Sequence, residues 1–212
     1  MKGKFITFEG PDGSGKGTII KYVKKYLEKN KIDYILTREP GGIEISEEIR
    51  EIILNKNHLS MDERTEALLY AAARRQHLVE IVKPALNIGK IVICDRFVDS
   101  SLAYQGYARG IGIDEVLKIN EFAIAGLMPD LTIFLNVRPE VGLERINKSK
   151  VRQKDRLDLE SLDFHKRVYE GYQEVLKQYP DRIISIDAEQ SIKRVSEESI
   201  NSIKTFLENE YF

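Results

Sequence analysis

The sequence predicts an α/β fold of three layers, a five-stranded and mainly parallel sheet flanked by helices, carrying a small basic lid. Three observations predict it. Short apolar runs alternate with helical patterns along the whole chain. The first run enters a glycine-rich turn that leads straight into a helix. And 42% hydrophobic residues over 212 positions are enough for one large core, so residues 1–212 read as a single domain with its lid at about 145–158.

The first strand is Phe5–Phe8, followed by Gly10-Pro11-Asp12-Gly13-Ser14-Gly15-Lys16 and a helix from about Lys16 to Lys29. This is the G-x-x-x-x-G-K pattern between a strand and a helix. Gly10, Gly13 and Gly15 permit backbone angles that a Cβ would block. Successive N–H groups then form a nest for phosphate oxygens, and the helix adds its positive end. Lys16 supplies a full charge for the β- and γ-phosphates. The loop says nucleoside triphosphate and little about the acceptor. Gly17 stands where Ser or Thr often helps to hold Mg²⁺, and Thr18 follows it.

The second strand, Tyr34–Thr37, runs into Arg38-Glu39-Pro40-Gly41-Gly42, whose Pro-Gly-Gly turn presents Arg38 at the carboxyl edge of the sheet. The next helix carries Arg50. Either arginine alone reads as a solvated charge. A long helix is expected from Asp62 to about Asn87 with Ser60 as its N-cap. Its core stripe reads as Leu68, Ala72, Val79, Val82 and Leu86, which leaves Tyr70 and Arg74 on the opposite face as an i, i+4 pair. A ring to stack and a fork to donate suit a planar ligand with polar edges.

The third strand, Ile91–Cys94, ends in Asp95-Arg96. A carboxylate there can hold a Mg²⁺-bound water, and Arg96 places a bidentate cation in the same cleft. Asp99 to Gly106 reads as a loop whose Ser101, Tyr104 and Gln105 suit a nucleoside. Leu131–Val137 and Ile183–Ile186 complete the sheet, and the tail after Asp187 reads as an amphipathic helix. Between Pro139 and Glu160 lie Arg145, Lys148, Lys150, Arg152, Lys154 and Arg156. They read either as a solvated face or as a mobile lid that closes over a triphosphate.

Net charge is −1, so nothing global points to nucleic acid or a membrane surface. No apolar stretch approaches the length of a membrane span. The single cysteine, Cys94, ends an apolar run and reads as a buried thiol without a disulfide framework. The N-terminus enters a strand at once, leaving no room for a signal peptide. These readings predict a cytoplasmic enzyme.

Phe8-Glu9-Gly10-Pro11-Asp12-Gly13-Ser14-Gly15-Lys16, Arg38-Glu39-Pro40-Gly41-Gly42, Asp95-Arg96-Phe97 and Ser100-Ser101-Leu102-Ala103-Tyr104-Gln105-Gly106 together resemble the thymidylate kinase family, in order and spacing over nearly the whole chain. The resemblance implies the P-loop NTPase fold and transfer of the ATP γ-phosphoryl to dTMP, giving dTDP and ADP in dTTP synthesis. It implies Mg²⁺, ATP and dTMP as small-molecule partners, and a homodimer. It also implies roles. Gly10 to Thr18 would hold the ATP phosphates. Asp12 would contact the acceptor sugar. Arg38 and Arg96 would clamp the acceptor phosphate with Arg50 beside them. Tyr70 would stack on thymine, Arg74 would donate to its O4, and Ser101 and Gln105 would reach the base edge. Tyr104 would press on the sugar at C2′. Asp95 would organise Mg²⁺ through water. The chain is similar to the bacterial type whose lid supplies the catalytic arginine, Arg152 first and then Arg156. Many relatives carry Phe at the Tyr70 position.

Three rival readings compete. Gly-Lys-Gly-Thr favours a kinase for another nucleoside monophosphate such as AMP. A nucleotide-binding module without turnover would not need Arg38, Arg96 and the lid cations. Nucleic-acid binding through those cations lacks an accompanying aromatic array.

Overall fold

A computed structural model describes residues 3–148 and 156–209. Five strands form one sheet: β1 (Lys4–Glu9), β2 (Tyr34–Arg38), β3 (Ile91–Asp95), β4 (Leu131–Asn136) and β5 (Ile183–Asp187). Their order is β2-β3-β1-β4-β5 and every pairing is parallel. The mainly parallel sheet expected from the sequence is therefore parallel throughout, and each strand reaches to within a residue or two of its expected ends. β1 lies in the middle, so the loop leaving it opens between β3 and β4.

The period of two along β1 divides the core. Ile6 and Phe8 pack with Ile19, Val23 and Leu27 of α1 (Lys16–Lys29) and Val195 and Ile203 of α9 (Ile192–Asn209). Phe5 points the other way, with Val92, Cys94 and Phe134, onto Leu78, Val82, Phe97, Phe164 and Tyr172. Glu9 follows Phe5 and Thr7 in that alternation, so an acid is carried beneath the sheet on the second face. It is fully buried. Cys94 is buried, as expected.

The long helix is present but differs in three ways. It runs as α3 (Glu63–His77), a π-helical turn over Leu78–Val82, and α4 (Lys83–Asn87). Asp62 caps it rather than Ser60: its Oδ1 accepts from the N–H groups of Arg64 and Thr65, both at 3.0 Å. Most importantly, its expected core face is inverted from Leu68 to Val79, while Val82 and Leu86 are buried as expected. Leu68, Ala72 and Val79 are exposed, whereas Ala67, Ala71, Arg74, His77 and Leu78 are buried. Periodicity finds an apolar stripe without saying which stripe turns inward. Here the inner face meets a polar cleft.

Asp99 to Gly106 is not a loop. It forms α5 (Val98–Ser101) and a π-helical segment over Leu102–Ala108, buried along most of its length. Its small residues allow α8 (Leu162–Gln178) to come close: a Cβ on Gly171 would lie 2.9 Å from the Ala103 carbonyl oxygen. Of the expected lid, Arg145 and Lys148 belong to the last turn of α7 (Pro139–Lys148), and Arg156 precedes a 3₁₀ turn at Leu157–Leu159. Lys150, Arg152 and Lys154 lie outside the described residues. The remaining helices are α2 (Glu44–Leu54) and α6 (Ile113–Ile124).

Candidate active site

The carboxyl ends of β1, β2 and β3 open into one cleft of about 990 Å³. Asp12 to Thr18 line one part of it. Gly13 takes φ 77° there, and a Cβ would overlap the Gly142 backbone. This backbone contact seats α7 against the loop. Gly15 is the left-handed N-cap of α1, so the helix starts at Lys16 with its first N–H groups at the loop. Gly10 and Pro11 contribute carbonyls instead. The Lys16 ammonium donates to Gly10 O at 2.9 Å, with Pro11 O and Ser14 Oγ at 3.4 Å. Burial pulls this ammonium down to about 8, and Arg96 pushes the same way. Asp95, Asp12 and Glu9 oppose them, so Lys16 stays mostly charged at neutral pH.

Arg96 is the hub. It follows β3 with φ 70°, a left-handed backbone that turns its side chain back across the sheet end. Nη2 donates to Asp12 Oδ1 at 2.8 Å and to the Tyr104 hydroxyl at 3.3 Å. Nη1 donates to Gly10 O, the Ser100 hydroxyl and the Tyr172 hydroxyl at 3.0–3.1 Å. Tyr104 in turn donates to Asp12 Oδ2 at 2.8 Å. Beneath this layer Glu9 Oε2 accepts from Ser100 Oγ at 2.6 Å and Tyr172 OH at 2.9 Å, while Oε1 accepts from Phe97 N. Each hydroxyl gives its one proton to Glu9 and so offers a lone pair to Arg96. Asp95 also lines the cleft, and its buried Oδ1 has no hydrogen-bond partner among the described residues.

The end of β2 and the helix α2 after it bring two more cations. Arg38 Nη2 donates to both carboxylate oxygens of Glu47, at 2.6 and 2.8 Å, with both side chains partly exposed. Arg50 donates to Pro40 O at 3.0 Å. On the far wall stand Tyr70, Arg74, Ser101 and Gln105. Tyr70 is half-buried, and burial, with Glu66 adding to it, raises its phenol, so it stays neutral. Arg74 is 2% exposed. Its Nε donates to Glu39 Oε2 at 2.6 Å and its Nη1 to Ser101 Oγ at 3.1 Å and to Asn120 Oδ1. Gln105 Nε2 donates to Glu66 Oε1 at 2.7 Å.

Arg156 stands apart from the catalytic place expected for it. It is buried, with Nε on the Ile53 carbonyl at 2.7 Å and Nη2 on Glu66. Glu66 also takes Arg109. Burial works against the charge of Glu66, but Arg109 and the bonds from Arg156 and Gln105 outweigh it and hold its carboxyl below the usual range. Arg145 enters the cleft instead, donating to Gly13 O at 3.4 Å and Ala188 O at 2.9 Å.

Several residues of this site carry no signal of their own in the sequence. Glu9 and Glu39 sit inside quoted motifs, but nothing in the spacing shows that both are buried, Glu39 bonded to Arg74 and Glu9 to the two hydroxyls that meet Arg96. Glu66, Asn120 and Tyr172 come from helices whose pattern reads simply as amphipathic. Glu39, His77 and Cys94 place ligand-type atoms within 4.8 Å of one another. Both His77 nitrogens are nevertheless engaged, by Glu39 at 2.9 Å and Thr37 at 2.6 Å, and the Cys94 thiol donates to Arg96 O at 3.2 Å. Each of the three groups is thus already engaged in a hydrogen bond.

Comparison with known proteins agrees with this geometry. Residues 8–199 match the family model for thymidylate kinase. A thymidylate kinase of Clostridium novyi (strain NT) is 65% identical over 206 residues, 97% of this chain and 98% of that protein. One from Oceanobacillus iheyensis is 60% identical, covering 98% of this chain and 92% of that protein. The crystal structure of thymidylate kinase from Ehrlichia chaffeensis superposes with a TM-score of 0.77 at 34% identity, covering 96% of this chain and 99% of that one. With the family model matched over residues 8–199 and relatives this similar over nearly their whole length, the chain belongs to the thymidylate kinase family.

Proposed function

We propose that the cleft catalyses in-line transfer of the ATP γ-phosphoryl to an oxygen of the dTMP phosphate, with the side chains above in the following roles. The observation that carries this is the convergence of two cationic sets in one cavity, the loop with Lys16 and the arginines Arg38, Arg50 and Arg96, which suits two phosphate groups. The acceptor phosphate is already ionised near neutral pH, so no strong general base is required. Catalysis then consists of positioning and charge neutralisation. Lys16 releases its loop carbonyls for the β- and γ-phosphates. Arg96, held by Asp12, Ser100 and Tyr172, meets the acceptor phosphate, and Arg38 and Arg50 bracket it. Tyr104 and Asp12 face the sugar. Tyr70 stacks on the base, Arg74 donates to its O4, and Ser101 and Gln105 complete the polar wall.

The buried, unpartnered Asp95 oxygen fits a site for the water shell of Mg²⁺. Bound there with ATP, Mg²⁺ supplies positive charge to the phosphate oxygens. With Arg156 committed to Glu66, the lid charge falls to Arg152. Arg145 flanks the loop beside Ala188 and Gln190, where its planar guanidinium can cover the nucleoside of ATP.

A homodimer is supported by the exposed apolar stripe of Leu68 and Ala72 on α3 and Val79 on the π-helical turn that follows it, together with Phe122 of α6, which is 91% exposed. No described helix is long and apolar enough to cross a membrane. The single thiol, buried, accords with a cytoplasmic setting.

The test is an ADP-release assay with Mg²⁺-ATP, offering dTMP, dUMP, AMP, CMP and GMP separately. Turnover favouring dTMP is expected. Preference for AMP would overturn the assignment of the acceptor wall, and ATP binding without turnover would favour a non-catalytic module.

A further inference from the structure

Arg74 is not held by chance contacts. Its guanidinium lies over the Phe97 ring, 5.1 Å from the centroid. Nε is fixed by Glu39, and Nη1 by Ser101 and Asn120; none of these bonds uses Nη2. Asn120 is itself oriented, because its Nδ2 donates to Val116 O at 2.8 Å and so turns Oδ1 towards Arg74. Glu39 is oriented from the other side. Its second oxygen, Oε1, faces His77 Nδ1 at 2.9 Å, and His77 Nε2 faces Thr37 Oγ1 at 2.6 Å. With the ring proton on Nδ1, every donor meets an acceptor: Thr37 O–H donates to Nε2, Nδ1–H to Oε1, and Arg74 Nε–H to Oε2.

The chain has no slack. Glu39, His77 and Arg74 are each at most 4% exposed. Gly42, at φ 87°, closes over its far end, and a Cβ there would lie 2.7 Å from Thr37 Oγ1 and 3.2 Å from the His77 ring. Thr37 and Glu39 flank Arg38, and the Pro40 carbonyl takes Arg50. The turn between Arg38, at the end of β2, and Arg50, on α2, is thereby tied to the arginine on the base wall. A freely rotating arginine would lose several rotatable bonds on meeting a base edge, whereas a guanidinium already locked in plane does not.

We propose that Glu39 and His77 are positioning residues that aim Arg74 at the acceptor base, so that preference for a 4-oxo over a 4-amino pyrimidine depends on them as well as on Arg74. This rests on the reading above that Arg74 faces position 4 of the base. An O4 accepts from the guanidinium, whereas a 4-amino group meets it donor to donor. Loss of aim therefore reduces discrimination, not merely stability.

The experiment compares kcat/KM for dTMP and dCMP, with KM for ATP as a control, in the wild type and in Arg74→Gln, Glu39→Gln, His77→Gln and Thr37→Val, plus the double variant Glu39→Gln/Arg74→Gln. Arg74→Gln is expected to collapse the dTMP:dCMP ratio. Glu39→Gln and His77→Gln are expected to lower it about tenfold, mainly through KM for dTMP and with KM for ATP within twofold, and Thr37→Val to lower it less. The double variant is expected to be no less selective than Arg74→Gln alone, since Glu39 acts through Arg74. Thr37→Val removes only a hydroxyl and keeps the test available if a substitution at the buried pair prevents folding. A ratio unchanged in Glu39→Gln and His77→Gln, or in Thr37→Val if those do not fold, while Arg74→Gln loses it, would overturn the inference and leave the function standing. A ratio unchanged in Arg74→Gln would overturn the placing of Arg74 at the base, and the inference with it.

Discussion

Glu9 shows how one side chain can both burden and serve the fold. Burial raises its carboxyl to about 7 from the usual 4.5, the charge of Asp99 adds to that, and Arg96 with the bonds from Ser100 and Phe97 pulls back. A folded-state value above the unfolded one means the native protein holds the proton more tightly. This contribution is fully present below pH 4.5, is lost as pH rises to about 7, and changes no further above that. The shift corresponds to about 3 kcal/mol at most. Wild-type stability in urea minus that of Glu9→Gln is therefore expected to decline between pH 4.5 and 7 and level off above; a flat difference would refute the titration. As an anion Glu9 takes the Ser100 and Tyr172 protons and leaves both oxygens to Arg96. Glu9→Gln is expected to lower kcat about tenfold, the scale of a hydrogen bond to a charged group. The sequence shows Glu9 at the end of an apolar strand beside the phosphate loop. It does not show that Ser100 and Tyr172, distant in the chain, arrive beneath it, because such meetings are made by packing.

At the scale of elements, the strands and the loop were readable because parallel, doubly covered strands are short apolar runs and a phosphate loop has fixed glycine spacing. The helices were readable in extent but not in facing. α3 turns Ala67, Ala71, Ala73, Arg74 and His77 inward and leaves Leu68 outside, since Tyr70 and Arg74 on its inner side border the cleft. The segment from Asp99 to Gly106 reads as a loop because its Ser, Gly and Tyr content is poor for a free helix, and packing against α8 overrides that propensity. Two substitutions separate the parts an element can play. Asp62→Ala removes only the cap of α3 and is expected to cost about 1 kcal/mol with KM for both substrates unchanged. Gly142→Ala places a methyl against the Asp12 carbonyl and is expected to cost about 1–3 kcal/mol as overpacking while raising KM for ATP, because the loop itself must shift. Thermal melts and steady-state kinetics read both. An unchanged KM for ATP in Gly142→Ala would mean that α7 does not set the loop.

At the scale of the molecule, α3 presents two faces with different demands. Its inner face carries Tyr70 and Arg74 to the cleft, and its outer face shows Leu68 and Ala72, continued by Val79 in the π-helical turn. Arg75, between those outer residues, donates to Ala123 O at 3.2 Å and so brings α6, with Phe122, alongside the stripe. Water-exposed apolar surface of this kind is stabilised by association, and a two-fold pairing of the same patch is the simplest closed solution. Such pairing would brace α3 from behind and hold Tyr70 and Arg74 in place. The wild type is expected to sediment at twice the chain mass at micromolar concentration. Leu68→Asp and Phe122→Asp are expected to shift it to the single-chain mass, since a charge buried at the centre of an interface is penalised heavily. KM for dTMP is expected to rise severalfold with that dissociation while KM for ATP, whose loop lies on β1 and α1, stays within twofold. A wild type that sediments as a single chain would refute the pairing. Monomeric variants with an unchanged KM for dTMP would show that the base wall is rigid without it, held by the bonds of Arg74 alone.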